Sequence, residues 1–435
     1  MPTDIAERLA RETERFWSSA PSPGMAVLVR RDGQELFSAY LGMANMVRRT
    51  PVRTETRFGI GSITKQFTAA AIMRLQETGV LNVDDPVSLY LPGLMGLSAV
   101  PRLRDLLGHT GGLRSALEVA MVTGYISGAP TIDGVIDEIR RRDDHIMPGT
   151  RWEYSNTGYY LLGHVVERAS GMALGAYIER QLLARHRPSD YQQMPRYARL
   201  RSLGHVPRDG GFATVAPSSA ALVFGSGGLY LSAGALASWQ DALWSGQVVS
   251  DSSLTLMGSA GKAADGTATQ YGFGTHVACF QGYDEVSHDG NAAWFSTQIA
   301  WYPQIGLSVV VLLNSQTHVA ESLARRLAAS ALGIEAWDGV PPGDGCNLPR
   351  HLYVGAYSYG SHRVVVRQIQ GQLTVETPTG RQAVLSSVGN HAFVEAADSA
   401  MRYHFRVIDA VAQGFRVVRM GKDLGVADRL HEATP

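Results

Sequence analysis

The segment 64–78 constrains the fold of this chain more than any other. It has a helical pattern rich in Ala, Ile, Met and Leu, and Gly79 ends it. Its apolar residues surround the helix instead of forming a single stripe, and a helix that is apolar on almost every face is buried. The rest of this 435-residue chain is therefore expected to fold around this helix.

Strand patterns lie near both ends of the first 335 residues, and helical patterns fill the middle. An apolar strand, an Asp-Gly turn and a second strand predict a hairpin at 25–40. Four strand-like segments follow Tyr271, and a last helix closes this part. Such an order is typical of an α+β domain whose terminal segments share one sheet. The predicted helices are 1–17, 103–107, 131–142, 158–169, 232–244 and 319–332, and the later strands are 272–280, 285–289, 295–302 and 307–314.

A change of composition after the first 336 residues predicts a second domain. The stretch 337–349 contains Pro341-Pro342-Gly343-Asp344-Gly345 and is typical of a linker. Beyond it, eight strand-like runs follow one another about every ten residues, which predicts a small antiparallel barrel or sandwich at 350–435. We therefore expect one domain at 1–336, this linker, and an all-β domain at 350–435.

Charge and cysteine content argue against several classes of protein. The 39 basic and 39 acidic residues balance, so nothing favours nucleic acid or an anionic membrane as a partner. Two cysteines, Cys279 and Cys346, do not make a disulfide framework and are expected to be free thiols. Neither His-Glu-x-x-His nor Cys-x-x-Cys occurs, and no phosphate-binding glycine loop precedes a helix. We therefore expect neither a metal nor a cofactor.

The N-terminal segment bears on location. Residues 1–17 form an amphipathic pattern without the apolar centre of a signal peptide. No apolar run reaches the length of about 18 residues that a membrane span needs. We expect a cytoplasmic protein, or a periplasmic or secreted one if a leader has been removed.

A serine and a lysine lie one turn apart at the head of the buried helix, in Gly61-Ser62-Ile63-Thr64-Lys65. The chain has only three lysines, so 39 − 3 leaves 36 arginines. A desolvated lysine can lose its proton and arginine cannot, and a serine hydroxyl needs such a base to become a nucleophile. Taken alone, a Ser-x-x-Lys more often lies on a solvated helix surface, so the prediction depends on the rest of the chain.

Two further stretches carry candidate site residues. Tyr154-Ser155-Asn156 precedes a predicted helix, and its tyrosine can relay a proton if a nearby cation lowers its pKa. The alternative is a half-buried aromatic residue that anchors the helix start. His288-Asp289-Gly290 lies in a predicted strand, where glycine indicates a close approach to the backbone. Its histidine either points into a cleft or belongs to a hairpin turn.

In this order, the three stretches resemble the penicillin-recognising serine hydrolases, or peptidase family S12. The resemblance is closest to the branch with class C β-lactamases, serine DD-carboxypeptidases, esterases and D-aminopeptidases. It covers about residues 20–335 and implies a β-lactamase-like α+β fold, with an antiparallel sheet flanked by helices and an all-helical region. Supporting stretches are 58–62, 106–113, 225–231 and 271–274.

The resemblance also implies roles for individual residues. Ser62 would be the nucleophile that forms an acyl-enzyme, Lys65 its base, and Tyr154 the group that passes the proton to the leaving group. The backbone N–H groups of Ser62 and Asn291 would form the oxyanion hole. Asn156 would bind the substrate amide or hold Lys65 in place. The implied substrate-binding residues are Asn156, His288, Asp289, Gly290 and Asn291.

The third stretch departs from the family pattern in a way that bears on the substrate. Many relatives carry Lys-Thr-Gly there, and its cation and hydroxyl receive a substrate carboxylate. In this chain His288 and Asp289 occupy those positions, and an acid would repel a carboxylate and favour an amine. We expect a D-stereospecific aminopeptidase or amidase that acts on short peptides or amides. The alternatives are a carboxylesterase of this family and a slowly deacylating penicillin-binding or DD-carboxypeptidase-type protein.

The same resemblance bears on the second domain. D-aminopeptidases of this family carry β-barrel domains after the catalytic one, which implies a lipocalin-like barrel at 350–435. The barrel would act as a stabilising cap or a homo-oligomer surface, or one of its loops would reach the cleft and limit substrate length. We expect a small molecule or short peptide as the partner, and neither nucleic acid nor membrane.

Overall fold

A computed structural model of the chain divides into two compact units, Met1–Ala331 and Leu332–Pro435. The predicted linker at 337–349, which includes Cys346, lies outside the described residues, whereas Cys279 is an exposed free thiol. The structure describes residues 2–19, 22–113, 117, 130–141, 145–183, 190–191, 198–208, 211–217, 221–264, 269–292, 294–315, 320–334, 350–359, 362–369, 371–376, 382–389, 392–395, 401–408, 411–419 and 422–430.

Twelve described strands belong to the first unit, and seven of them form one antiparallel sheet. They are β1 Gly24–Arg31, β2 Gln34–Asn45, β3 Thr50–Pro51, β4 Phe58–Gly59, β5 Asp190–Tyr191, β6 Gly204–Arg208, β7 Gly211–Val215, β8 Leu229–Leu231, β9 His276–Phe280, β10 Tyr283–Ala292, β11 Phe295–Tyr302 and β12 Leu307–Leu313. The order in the large sheet is β3-β2-β1-β12-β11-β10-β9.

The two ends of this unit meet at the centre of the sheet. β1 pairs with β2 on one side and with β12 on the other, and Met25 lies opposite Leu313. This pairing confirms the predicted α+β class with terminal segments in one sheet. Two smaller assemblies complete the strands of this unit, in the orders β4-β8-β5 and β6-β7.

The helix predicted to be buried is α2, and its burial is confirmed. Every residue from Thr64 to Met73 is buried, and Phe67 stacks on Trp239 with ring centroids 4.0 Å apart. The Trp239 indole N–H also donates to Gln66 Oε1 at 3.3 Å, so the polar atoms of this contact are paired. The described helices of this unit are α1 Pro2–Ser19, α2 Thr64–Glu77, α3 Leu103–Leu107, α4 Ile132–Arg141, α5 Asn156–Ser170, α6 Leu174–Tyr177, α7 Ala233–Trp244, α8 Asp251–Gly258 and α9 Ala320–Ala331.

Helices cover the sheet on both faces, which explains why β12 is buried along its whole length. On one face, Ser308 Oγ of β12 donates to Gln240 Oε1 of α7 at 2.7 Å. On the other face, the Ala320 N–H at the start of α9 donates to Ser296 Oγ of β11 at 3.0 Å. The sheet is therefore the middle layer of the unit.

The strand predicted at 272–280 begins only at His276. Residues before it form a turn in which Gly274 has φ +80°, and a Cβ at this position would lie 2.8 Å from the Lys65 carbonyl oxygen. The turn passes too close to α2 for a regular strand with side chains.

Helix α8 was not predicted from the sequence because it is short. Ser250 Oγ caps this helix by accepting the Ser253 N–H at 3.4 Å.

The second unit is a closed antiparallel barrel, as predicted. Eight strands follow one another around the barrel, and the first and last pair through Tyr357 and Arg429. This up-and-down closure is the lipocalin type of architecture. Aromatic residues fill its interior, with Phe405 packed against Tyr353, Phe393 and Phe415. The strands are β13 Gly355–Tyr359, β14 His362–Ile369, β15 Gln372–Glu376, β16 Gln382–Gly389, β17 Ala392–Glu395, β18 Met401–Ile408, β19 Val411–Arg419 and β20 Lys422–Arg429.

None of the helices in the described ranges combines the length and the apolarity that a membrane span requires.

Candidate active site

Ser62 and Lys65 meet at the first turn of α2. A short 3₁₀ turn, Gly61–Ile63, leads into the helix and leaves Ser62 partly exposed, whereas Lys65 is 0% exposed. Lys65 Nζ donates to Ser62 Oγ at 3.0 Å, to Asn156 Oδ1 at 2.8 Å and to the Ser226 carbonyl at 3.0 Å. Three oxygen atoms therefore surround the buried side-chain nitrogen of Lys65, which offsets its loss of hydration.

The stretch Tyr154-Ser155-Asn156 forms the start of α5. Ser155 is the N-cap, because its Oγ accepts the Gly158 N–H at 3.1 Å, and Asn156 is the first helical residue. The cap thus places the Asn156 amide against Lys65. The Tyr154 ring centroid lies 4.8 Å from Lys65 Nζ, within the range of a cation–π contact.

His109 holds this loop on both sides of Tyr154. Its carbonyl accepts the Glu153 N–H at 2.8 Å, and its Nδ1 accepts the Ser155 N–H at 3.1 Å. The ring packs on Tyr154 with centroids 4.3 Å apart, and the residue has φ +60°, a conformation that non-glycine residues seldom adopt. Burial, and then the charge of Lys65, lower the pKa of His109 well below its usual value. The neutral ring carries its proton on Nε2, because Nδ1 accepts.

Strand β10 closes against the loop before Ser62 through two glycines. A Cβ on Gly290 would lie 2.0 Å from the Ile60 carbonyl oxygen, and a Cβ on Gly61 would lie 2.6 Å from the Asn291 nitrogen. Gly61 also has φ +53°. Only glycine at both positions permits this approach, which agrees with the prediction of close contact at Gly290.

One edge of β10 continues past its neighbour β9. The pairing with β9 runs from Tyr283 opposite Phe280 to Ser287 opposite His276, and β10 extends to Ala292. The loop with Gly61 and Ser62 meets β10 beyond the end of this pairing. An extended chain can lie along such an edge next to the serine.

His288 is fully buried behind this edge. Its Nδ1 donates to the Asp289 carbonyl at 2.6 Å, since a carbonyl can only accept, and its Nε2 accepts from the Tyr271 hydroxyl at 2.9 Å. Burial, followed by the nearby His276 and Lys65, lowers the pKa of His288 well below its usual value. This neutral ring lies 6.3 Å from the Tyr154 ring, measured between centroids.

Asp289 lies between two imidazoles. Its Oδ1 is 3.7 Å from His276 Nε2 and 3.9 Å from His288 Nδ1, and its side chain is 16% exposed. The Tyr271 hydroxyl is also near the Asp289 carboxylate. Burial, together with the neighbouring Tyr159 and Tyr154, raises the pKa of Tyr271 well above its usual value.

The structure thus brings all three predicted stretches to one place. Four residues of this site were absent from the predicted set. They are His109, Ser226, Tyr271 and His276. The first three lie in stretches that supported the family resemblance, so the sequence contained a signal for them. Nothing in the sequence indicated His276, because it begins a strand that was predicted to start earlier.

The sequence of this chain is similar to those of known proteins with a related fold. The family model described as Beta-lactamase matches residues 9–333. A D-aminopeptidase of Cereibacter sphaeroides is 30% identical over 342 residues, which cover 74% of this chain and 62% of the relative. The chain therefore spans about three fifths of the length of that relative.

Two further similarities concern an esterase and a solved structure. Esterase EstB of Burkholderia gladioli is 33% identical over 170 residues, or 36% of this chain and 43% of the relative. The octameric penicillin-binding protein homologue from Pyrococcus abyssi matches with a TM-score of 0.69 at 23% identity, over 97% of this chain and 99% of that one. At this identity the structural match supports the fold.

Proposed function

The chain belongs to the beta-lactamase family, and we propose that it is a serine hydrolase that forms an acyl-enzyme on Ser62. The contact of 3.0 Å between Lys65 Nζ and Ser62 Oγ carries the proposal. The lysine is fixed from two other directions by Asn156 and Ser226, so its position is preorganised toward the serine.

The proposed reaction has two steps. Lys65, in its amine form, takes the proton of Ser62 as Oγ attacks the substrate carbonyl carbon. Tyr154 then gives its own proton to the departing amine or alcohol and receives the proton that Lys65 holds, so both groups return to their starting state. The bond from the carbonyl carbon to the leaving group then breaks. Water cleaves the resulting ester: its hydroxyl goes to the acyl carbon, and its proton returns to Ser62 Oγ.

The backbone N–H groups of Ser62 and Asn291 are proposed to stabilise the negative charge on the carbonyl oxygen. Support comes from the approach of Gly61 to the Asn291 nitrogen, which places β10 directly beside the serine. Such donors act most strongly when they are held in position before the reaction. The two glycines at this contact would keep them in place.

The proposed substrates are amides or short peptides with an N-terminal D-residue. The D-aminopeptidase of Cereibacter sphaeroides supports this class, as does the acidic side chain of Asp289 where other family members have a hydroxyl. Asp289 follows His288 on the edge where an extended substrate would lie, so its carboxylate would receive the substrate ammonium. Asn156 is proposed to hold Lys65, since its Oδ1 accepts a hydrogen bond from Lys65 Nζ.

A substrate panel tests the reaction class. D-Ala-p-nitroanilide, its L-counterpart, p-nitrophenyl butyrate and nitrocefin would be compared with purified protein. We expect turnover of the D-amide above its L-counterpart. Turnover of the butyrate alone would identify an esterase, which the similarity to Esterase EstB favours as the second candidate. Stoichiometric labelling of Ser62 without turnover would identify a slowly deacylating penicillin-binding type of protein.

Replacement of Asp289 tests the charge argument. Asp289→Thr should lower kcat/KM for amine-bearing substrates about tenfold or more, because a close charge pair at a partly desolvated site contributes more than 1.4 kcal/mol. Neutral esters should be unaffected. Asp284→Thr, at an exposed acid of the same strand, is the matched control. An equal loss for amines and esters in the Asp289 variant would show that the charge has no role in specificity.

The second unit is proposed to serve as a surface for assembly of several copies. The structural relative from Pyrococcus abyssi is described as octameric. Light scattering of the full chain would show more than one copy per particle, and a monomer at all concentrations would disprove this role.

The proposed location of the protein is the cytoplasm.

A further inference from the structure

We propose that His276, His288 and Asp289 bind a divalent transition metal, with Zn²⁺ as the preferred ion. Each residue offers one ligand atom, and the three atoms all lie within 4.8 Å of one another. Two imidazoles and one carboxylate form a ligand set that zinc commonly has in proteins, with a fourth position for water.

Two of the three separations between the ligand atoms are close to those of a zinc site. Asp289 Oδ1 is 3.7 Å from His276 Nε2 and 3.9 Å from His288 Nδ1. Zinc holds such ligands at about 2.0–2.2 Å, and tetrahedral angles then separate the ligand atoms by about 3.4 Å. The His276 and His288 ligand atoms lie within 4.8 Å of each other, so rotations that move each atom by less than about 1 Å would complete the site.

The site is accessible from one side and anchored on the other. The side chains of His276 and Asp289 are 23% and 16% exposed, so an ion and its water ligand can enter. His288 is 0% exposed and fixed by the strand. Exposed acidic clusters lack such a buried imidazole, which gives this site its preference for zinc over calcium or magnesium.

Tyr271 completes the surroundings that a metal-bound histidine needs. A ligand histidine usually donates its second ring N–H to a fixed oxygen. The Tyr271 hydroxyl lies 2.9 Å from His288 Nε2, and a phenol can accept as well as donate a hydrogen bond. When zinc replaces the contact of His288 Nδ1 with the Asp289 carbonyl, the ring proton moves to Nε2. The Nε2–H group then donates a hydrogen bond to the Tyr271 hydroxyl oxygen.

Zinc at this site would inhibit the hydrolase. The ion would occupy the carboxylate of Asp289, which is the proposed receptor of the substrate ammonium, so this consequence rests on the proposed function. Substrate and metal would then compete for one side chain. Metal binding itself depends only on the geometry of the three ligands.

Direct binding tests the site independently of any activity. Chelator-treated full-length protein would be dialysed against micromolar Zn²⁺, with bound metal measured per chain. We expect one Zn²⁺ per native chain and a loss of affinity of about tenfold or more in His276→Asn, because removal of a ligand costs at least as much as loss of an outer partner. His164→Asn is the control: His164 also faces a carboxylate, Glu167 at 3.4 Å, with a side chain 20% exposed.

Two results of the dialysis would overturn the site. One is the absence of zinc binding to the native chain, and the other is equal affinity in the native chain and His276→Asn. Circular dichroism and stoichiometric labelling of Ser62 by a small acylating probe would show that each variant is folded.

A kinetic measurement tests the inhibition separately. Zn²⁺ should raise the apparent KM for an amine-bearing substrate in the native chain, EDTA should reverse the effect, and His276→Asn should resist it. Zinc binding without any change in KM would overturn the competition and leave the site standing. If the chain cleaves no amine-bearing substrate, the proposed function fails, and the dialysis still decides whether the metal site exists.

Discussion

Lys65 is the residue on which the proposed chemistry of the site depends. Its side-chain nitrogen has three oxygen partners and also lies near two tyrosine rings, with Nζ 4.8 Å from the centroid of Tyr154 and 5.5 Å from that of Tyr159. These contacts fix the nitrogen within reach of the serine. An arginine at this position would keep the charge and lose the ability to accept a proton.

Lys65→Arg should therefore slow acylation of Ser62 by about 10²–10⁴-fold, the usual contribution of a positioned general base. The rate would be measured by mass spectrometry as covalent labelling with an activated ester. Lys262→Arg, at an exposed lysine, is the matched control and should label at the native rate. Near-native labelling of the Lys65 variant would refute its role as the base.

His109 is a buried neutral imidazole that positions the Tyr154 loop, and its lowered pKa has a consequence for stability. Below about pH 6.5 the unfolded chain binds a proton on this histidine and the folded chain does not. Stability is therefore complete above that pH and falls as the pH decreases toward the folded-state pKa.

The pH dependence can be assigned with His109→Gln. The free energy of unfolding of the native chain should fall between pH 6.5 and 5.5 by up to about 1 kcal/mol more than that of the variant. Denaturant titrations at several pH values would measure it. Parallel curves for the two proteins would mean that His109 takes up its proton equally in both states.

Among the elements, β10 joins the sheet to the loop that carries Ser62. Its contact with the loop before α2 depends on Gly290, where a Cβ would overlap the Ile60 carbonyl oxygen and Thr297 Oγ1, 2.0 and 2.2 Å away. Thr297 Oγ1 also donates to the Ile60 carbonyl at 3.1 Å, which ties β11 to the same loop. The position of Ser62 therefore depends on how closely β10 and β11 pack against the loop before α2.

Gly290→Ala should lower kcat by about 10²-fold, because a displacement of the strand by about 1 Å misaligns the serine and the oxyanion donors. Overpacking should also cost about 1–3 kcal/mol of stability. Gly211→Ala is the matched control, since that glycine is also in a strand and a Cβ there would meet no atom within 4 Å. Native kcat in the Gly290 variant would show that β10 need not lie this close.

For the whole molecule, the division into two units predicts separable unfolding. Phe405→Ala removes a buried ring at the centre of the barrel and should destabilise the second unit by about 3–5 kcal/mol. Calorimetry should show one transition shifted to lower temperature, while labelling of Ser62 by a small activated ester remains at the native rate. A shift of every transition together would contradict independent units.

The sequence predicted the large features because each had a strong local signal. The apolar helix at 64–78 and the eight strand runs after residue 350 needed no distant information. The Ser62–Lys65 contact followed from their spacing of one helical turn. In contrast, the hydrogen bond from Ser155 to His109 depends on two segments that are distant in the sequence. The approach of His276 to Asp289 depends on the register of β9 against β10, which the predicted start of that strand had wrong.

The pairing of β1 with β12 has a consequence for synthesis on the ribosome. The central strands β1 and β12 can pair only after Leu313, the partner of Met25, has been synthesised, so hundreds of intervening residues leave the ribosome first. A nascent chain therefore carries Ser62 for most of its synthesis without the strands that pack against its loop. We therefore expect the site to form only after β12 has been synthesised, because contacts between distant segments form last.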